Sequence, residues 1–148
     1  MGMFDALNVS ATGLTAERLR MDVTAENLAN AQTTRGADGQ PYRRKEVVLG
    51  EAVSGGFGSQ LSAAMGGGGS GSAGGVEVQG IVEDATPGKL LYDPGHPDAN
   101  ADGYVQMPNV DTVTEMVDLI TASRAYEANV TAMQSAKQMF TKTLDLLR

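Results

Sequence analysis

Residues 111–148 read DTVTEMVDLITASRAYEANVTAMQSAKQMFTKTLDLLR, a run of thirty-eight without a glycine or a proline. Both residue types are costly inside a helix, so this stretch is free to form one long helix. Met116, Leu119, Tyr126, Val130, Met133, Phe140, Leu144 and Leu147 recur at an alternating 3/4 spacing, with Ser123 and Lys137 as polar breaks. That is a narrow apolar seam on one helical face. Thr112 and Glu115 have capping-box spacing. Asp111, Glu115 and Asp118 gather at the start, and Lys137, Lys142 and Arg148 lie toward the end, as the helix dipole favours. At 1.5 Å per residue the helix is about 55 Å long.

The opposite end of the chain repeats the pattern. From Met3 to Ala31, Phe4, Leu7, Ala11, Leu14, Met21, Ala25 and Leu28 keep the same spacing, interrupted by Arg18. Gly13 and several threonines weaken the intrinsic helicity. Asn30, Thr33, Thr34 and Gly36 read as the exit from a helix of about 40 Å.

The breakers lie between these arms. All five prolines and 17 of the 19 glycines fall between Gln32 and Asn109. Short extended pieces are expected at Tyr42–Leu49, at Val76, Val78 and Val82 around Gly80, at Lys89–Tyr92 and at Tyr104–Met107. Pro87-Gly88 and Pro94-Gly95 are turn dipeptides. Gly66 to Gly75 is a Gly/Ser tract with the composition of a flexible linker. The expected organisation is an N-terminal helix in residues 1–34, a small β-rich and loop segment in 35–108 carrying the linker 66–75, and a C-terminal helix in 109–148. The class is mainly α with a small β insertion. A β unit of about 70 residues, with no disulfide to brace it, is marginal alone.

Composition narrows the function. The chain has 148 residues and a formal net charge of −7, which argues against nucleic acid and against a polybasic membrane surface. It has no cysteine, so disulfides, thiol nucleophiles and thiolate-held zinc are excluded. No stretch nears the roughly 20 apolar residues that cross a bilayer, so direct membrane insertion is not expected. The first basic residue is Arg18 and no apolar core follows the start, so no cleaved secretory signal is expected.

Motifs for chemistry are few. Gly69, Gly71 and Gly74 fit G-x-G-x-x-G, but no strand precedes and no helix follows, so the linker reading stands. Asp98, Asn100 and Asp102 with Gly103 resemble half of a calcium loop, yet the twelfth position is Asn109 where a bidentate glutamate is needed. A solvated turn is the simpler reading; a soluble calcium-binding module on the Asp98–Asp102 loop is the alternative function. His96 is the sole histidine and sits among Asp93, Asp98 and Asp102 in a Pro/Gly-rich loop. Arg43, Arg44 and Lys45 read as a solvated strand end, with a charge pair to a neighbouring subunit as the second reading. No catalytic residue, cofactor or metal site is assigned, and an enzyme is not expected.

Three motifs carry a family resemblance. Glu26-Asn27-Leu28-Ala29-Asn30-Ala31 followed by Thr33-Thr34 resembles the N-terminal signature of bacterial flagellar rod and hook proteins. Glu115-Met116-Val117-Asp118 with Ser123-Arg124-Ala125-Tyr126-Glu127-Ala128-Asn129 is similar to their C-terminal signature. Asp93-Pro94-Gly95-His96-Pro97-Asp98, Gly103-Tyr104-Val105 and Pro108-Asn109-Val110 narrow the resemblance to the proximal-rod branch. The resemblance implies terminal helices paired as an antiparallel coiled coil in a hollow axial drive shaft, transmitting torque for motility. It implies unfolded export through the flagellar type III apparatus without a cleaved signal, and a place in the basal-body rod within the periplasm. The implied partners are copies of the chain itself, other rod proteins, the export apparatus and the MS ring. The implied assembly interface is Phe4, Leu7, Leu14, Met21, Leu28 and Asn30 on the first arm. On the second it is Met116, Leu119, Tyr126, Val130, Met133, Phe140, Leu144 and Leu147.

Overall fold

A computed structural model of the chain describes residues 3–36, 38–52 and 74–146. The element order is α1 (Met3–Ala29), β1 (Lys45–Glu51), β2 (Val76–Glu83), β3 (Leu90–Tyr92), β4 (Tyr104–Gln106) and α2 (Thr112–Leu146). Two long helices and small antiparallel sheets are therefore the architecture. The linker expected at Gly66–Gly75 lies outside the described residues up to position 73.

The helix ends are set by local chemistry. Asp111 opens α2: its Oδ1 accepts the Val113 N–H at 3.0 Å and its carbonyl accepts the Glu115 N–H at 2.9 Å. The cap is therefore Asp111, one residue before the Thr112 of the capping-box reading, and the Glu115 carboxylate is left for other partners. At the end of α1, the Asn30 side chain donates to the Glu26 carbonyl, and the Thr33 hydroxyl donates back to Asn30 Oδ1 at 3.1 Å. This turns the chain out of the helix.

The chain packs as two compact units, and both helices contribute to each. One unit holds residues 1–18, 49–79 and 124–148. In it Gly13 of α1 lies against Asn129 of α2, whose amide would sit 3.1 Å from any Cβ added at the glycine. Ala16 and Ala136 are buried here. The Thr12 hydroxyl donates to the Val9 carbonyl and accepts the Val76 N–H at 3.2 Å, tying the start of β2 to α1. Gly75 just before it has a φ of 87°, and an added Cβ would collide with Thr12. Only glycine turns the chain into β2 this close to the helix.

The other unit holds residues 19–48 and 80–123. Val23, Thr24 and Asn27 of α1 are buried in it, with Val105 of β4 and Glu115 and Ala122 of α2. β1 starts at Lys45, three residues later than the expected strand, because Tyr42 and Arg44 are held elsewhere. The Tyr42 N–H bonds the Thr33 carbonyl, and the Arg44 N–H bonds Asn109 Oδ1. β1 pairs with β2, and the Asp84 N–H continues the ladder to the Arg44 carbonyl at 2.8 Å. β3 and β4 are antiparallel with Leu91 opposite Val105 and Tyr92 opposite Tyr104. The two tyrosine rings meet edge to face at 5.2 Å. Gly103, with φ 79°, closes the connecting loop under the Tyr92 ring.

Candidate functional site

The buried part of each helix is made of small and polar residues, and the large apolar side chains stand beside it. On α1 the deepest positions are Gly13, Ala16, Val23, Thr24 and Asn27; on α2 they are Glu115, Ala122 and Ala136. The α1 set keeps a helical 3/4 rhythm, and the α2 set recurs at multiples of seven, which is also one helical face. They lie next to the expected seam, not on it.

Among the sequence-predicted interface residues, Leu7, Leu14, Met21 and Leu28 are half-buried on α1, and Asn30 is half-buried in the turn after it. Leu119, Tyr126, Val130 and Met133 are half-buried on α2. Met116, Phe140 and Leu144 are exposed, Leu144 to 50%. The Phe4 side chain and Leu147 lie outside the described residues. A further exposed row, Val113, Val117 and Ile120 beside Met116, was not singled out from the sequence. It follows i, i+3, i+4, i+7 and could have been found by testing every helical face instead of the best one.

One polar cluster organises the second unit. Asn27 and Glu115 are each only 1% exposed. Glu115 Oε2 accepts the Asn27 side-chain N–H at 3.0 Å, and Oε1 accepts Arg44 Nε at 2.6 Å. Asn27 also donates to the Lys45 carbonyl, and its Oδ1 accepts both the Lys45 N–H and the Tyr42 hydroxyl. The Arg44 guanidinium reaches Asp118 at 3.5 Å and Glu46 at 3.6 Å as well. Its hydrogen bond to Glu115 raises its pKa above the ordinary arginine value, against the opposing effect of burial. Lys45 is likewise raised, first by its bond to Glu26. Tyr42 is raised, chiefly by burial and next by the Glu26 charge. Of the basic run 43–45, Arg44 and Lys45 are paired within the chain, while Arg43 is exposed and donates to Gln40, as a solvated strand end would. The partner that sequence spacing could not supply is Glu115, 71 residues away.

The acidic loop is tied down in a similar way. Asp98 accepts the Thr34 hydroxyl at 2.9 Å and meets Arg35 at 3.4 Å. Its N–H donates to His96 Nδ1, and the Asp93 carboxylate accepts the Gly95 N–H. Among the described residues, no three His, Asp or Glu side chains converge on a point that a cation could fill. The loop is a hydrogen-bonded turn linking the exit of α1 to the β3–β4 connection.

This geometry meets a family pattern at both ends. Residues 7–37 match the family described as flagella basal body rod protein, and residues 101–146 match the flagellar basal body rod FlgEFG protein C-terminal family. A flagellar basal-body rod protein FlgC of Bacillus subtilis is 53% identical over 154 aligned positions, covering 99% of each chain. The chain belongs to the FlgC family of flagellar rod proteins. FlgC of Borreliella burgdorferi is 46% identical over 100% of this chain and 99% of its own. FlgC of Escherichia coli O6:H1 is 44% identical over 99% and 98%. The chain is thus a structural subunit of the flagellar basal-body rod, and its relatives are named as rod proteins, not as enzymes. Asn27 falls within the first matched region and Glu115 within the second, so the buried hydrogen bond joins the two.

Proposed function

We propose that this FlgC-family chain forms part of the wall of the proximal rod, a hollow shaft in the periplasm that carries torque from the motor to the hook. Its partners in this reading are copies of itself, the other rod proteins and, at the base, the MS ring. It reaches that place through the flagellar type III export apparatus, without a cleaved signal. Segments 1–34 and 109–148 act as the axial helices, paired antiparallel as a coiled coil, and 35–108 forms the outward segment between them.

The observation that carries this reading is the division of labour across the helices. Small and polar residues face inward in each unit, while Met116, Phe140 and Leu144 stay open to solvent. Burying such a side chain contributes about 1.5–3 kcal/mol, so neighbouring subunits have a continuous incentive to cover them. Support for antiparallel pairing comes from one contact in each unit. Asn27 meets Glu115, and Gly13 meets Asn129, so a rising position on α1 goes with a falling one on α2.

The test is Leu144→Asp in cells whose only copy of the chain is the variant. Basal bodies should lack a complete rod and cells should not swim, while the purified chain keeps its helix content. Normal flagella in that strain would refute the interface.

A further inference from the structure

The β3–β4 hairpin has a covered face and an open one. Val105 of β4 is 2% exposed. Side chains alternate along a strand, so Leu90 and Tyr92 of β3 stand on the opposite face, with Tyr104 across from Tyr92. Leu90 and Tyr92 are 65% and 64% exposed. At the loop end of the hairpin, Asp93 and Asp102 flank the tyrosine pair in the chain. Both are exposed, and neither is in an ion pair among the described residues.

α2 carries a second open surface at its start. Val113, Val117 and Ile120 are each more than half exposed. They share one helical face, and Arg124 continues that face one turn further on. Arg124 is exposed and is in no ion pair among the described residues.

We propose that these surfaces are the two halves of one contact between copies of this chain: the open face of the hairpin on one copy receives the Val113–Arg124 row of α2 on the next. The inference rests on the rod reading above and names the partner for that part of the exposed row. Three observations select a second copy as the occupant. The first is charge. At a net charge of −7 the copies repel one another on average, so a contact between them needs an acidic patch set against a basic one. Asp93 and Asp102 supply the first and Arg124 the second, and the paired tyrosine rings offer a face on which a guanidinium can rest. The second is spacing. On β3, Leu90 precedes Asp93 by three residues, about 10 Å. On α2, Val117 precedes Arg124 by seven residues, about 10.5 Å. Apolar side chains then meet apolar ones where charge meets charge. The third is position in the sequence. β3 lies in residues 38–100, between the regions 7–37 and 101–146 that match the two rod families. A surface outside the pattern common to rod proteins suits recognition of the same chain better than recognition of a different one.

The two surfaces differ, so the contact is heterologous. A copy that gives its hairpin to one neighbour keeps its α2 row for another, and association runs on past two copies.

The chain has no cysteine, so introduced thiols report the contact without background. Lys89→Cys and Thr121→Cys place one thiol beside each surface at exposed polar positions and leave the surfaces themselves intact. Cells whose only copy carries both are treated with a short bismaleimide, and the chain is followed in isolated basal bodies. A ladder of chain multimers is expected. Each single variant should stay monomeric, and the two single variants expressed together should give dimers and nothing larger. Arg124→Asp added to the doubly substituted chain should cut the ladder at least fivefold, and Asp102→Arg added to that should restore it.

Dimers from either single variant would overturn the inference, because they require a two-fold contact. Monomers alone, or cross-links only to a different basal-body protein, would overturn it as well. So would a ladder indifferent to Arg124→Asp, or one that Asp102→Arg fails to restore. Absence of the chain from the basal bodies of swimming cells would instead remove the rod reading itself.

Discussion

Asn27 makes four hydrogen bonds from a side chain that solvent barely reaches. Asn27→Ala strands a carboxylate oxygen, a phenol and both backbone groups of Lys45 at once. We expect a loss of about 3 kcal/mol or more, read as a lower denaturant midpoint at unchanged slope. Tyr42 gives a second test at this scale. Burial raises its pKa above 10.0, so the folded state favours the neutral phenol. A pKa raised on folding contributes stability that is complete below the unfolded value and is lost as pH rises through the folded one. Lys45, raised through Glu26, acts on the same alkaline side. Unfolding between about pH 9 and pH 12 should therefore be steep in the native chain and shallower in Tyr42→Phe. Equal slopes would mean that Tyr42 is not held as described. These residues were only half legible in the sequence. Asn27 and Glu115 stand in the two family motifs, and spacing alone marks Glu115 as a capping residue. That they meet is a fact of tertiary structure, and nothing local in either motif encodes the other.

The elements were legible to within two or three residues at their ends, because glycine, proline and the polar exits punctuate the chain where helices and strands must end. α1 ends two residues before the expected boundary, at the Asn30 turn. β3 and β4 fall within the expected extended pieces, whereas β1 starts three residues late and runs two past Leu49, and β2 runs one past Val82. What periodicity could not rank was which stripe turns inward. Hydrophobicity favours the row with the largest side chains, whereas close approach of two helices favours the row with the smallest. The two rows lie next to each other on each helix, and packing selects the small one. Two substitutions separate these roles. Ala122→Leu adds bulk at a position with no exposed surface and should destabilise the isolated chain by about 1–3 kcal/mol. Val117→Ser, at a side chain 54% exposed, should change its stability by no more than about 0.5 kcal/mol, yet reduce the number of complete rods in cells. Thermal unfolding of the purified variants and counts of isolated basal bodies measure the two effects, and the opposite pairing would reverse the assignment of faces.

At the scale of the molecule, large apolar side chains such as Val113, Val117, Ile120 and Leu144 stand at least half exposed among the described residues. Among the described residues, the buried apolar side chains other than proline are three alanines and two valines, which is a thin core. Stability sufficient for a shaft must then come from contacts between subunits. In the proposed rod, α1 and α2 lie side by side in opposite directions in the wall. Electron density of the assembled basal body, with this chain traced in it, is the measurement for that arrangement. Two antiparallel helical rods of about 40 and 52 Å per subunit are expected in the rod wall, with Met116, Phe140 and Leu144 covered by neighbouring subunits. Helices held apart within a subunit, or those three side chains facing open solvent in the assembled rod, would contradict it.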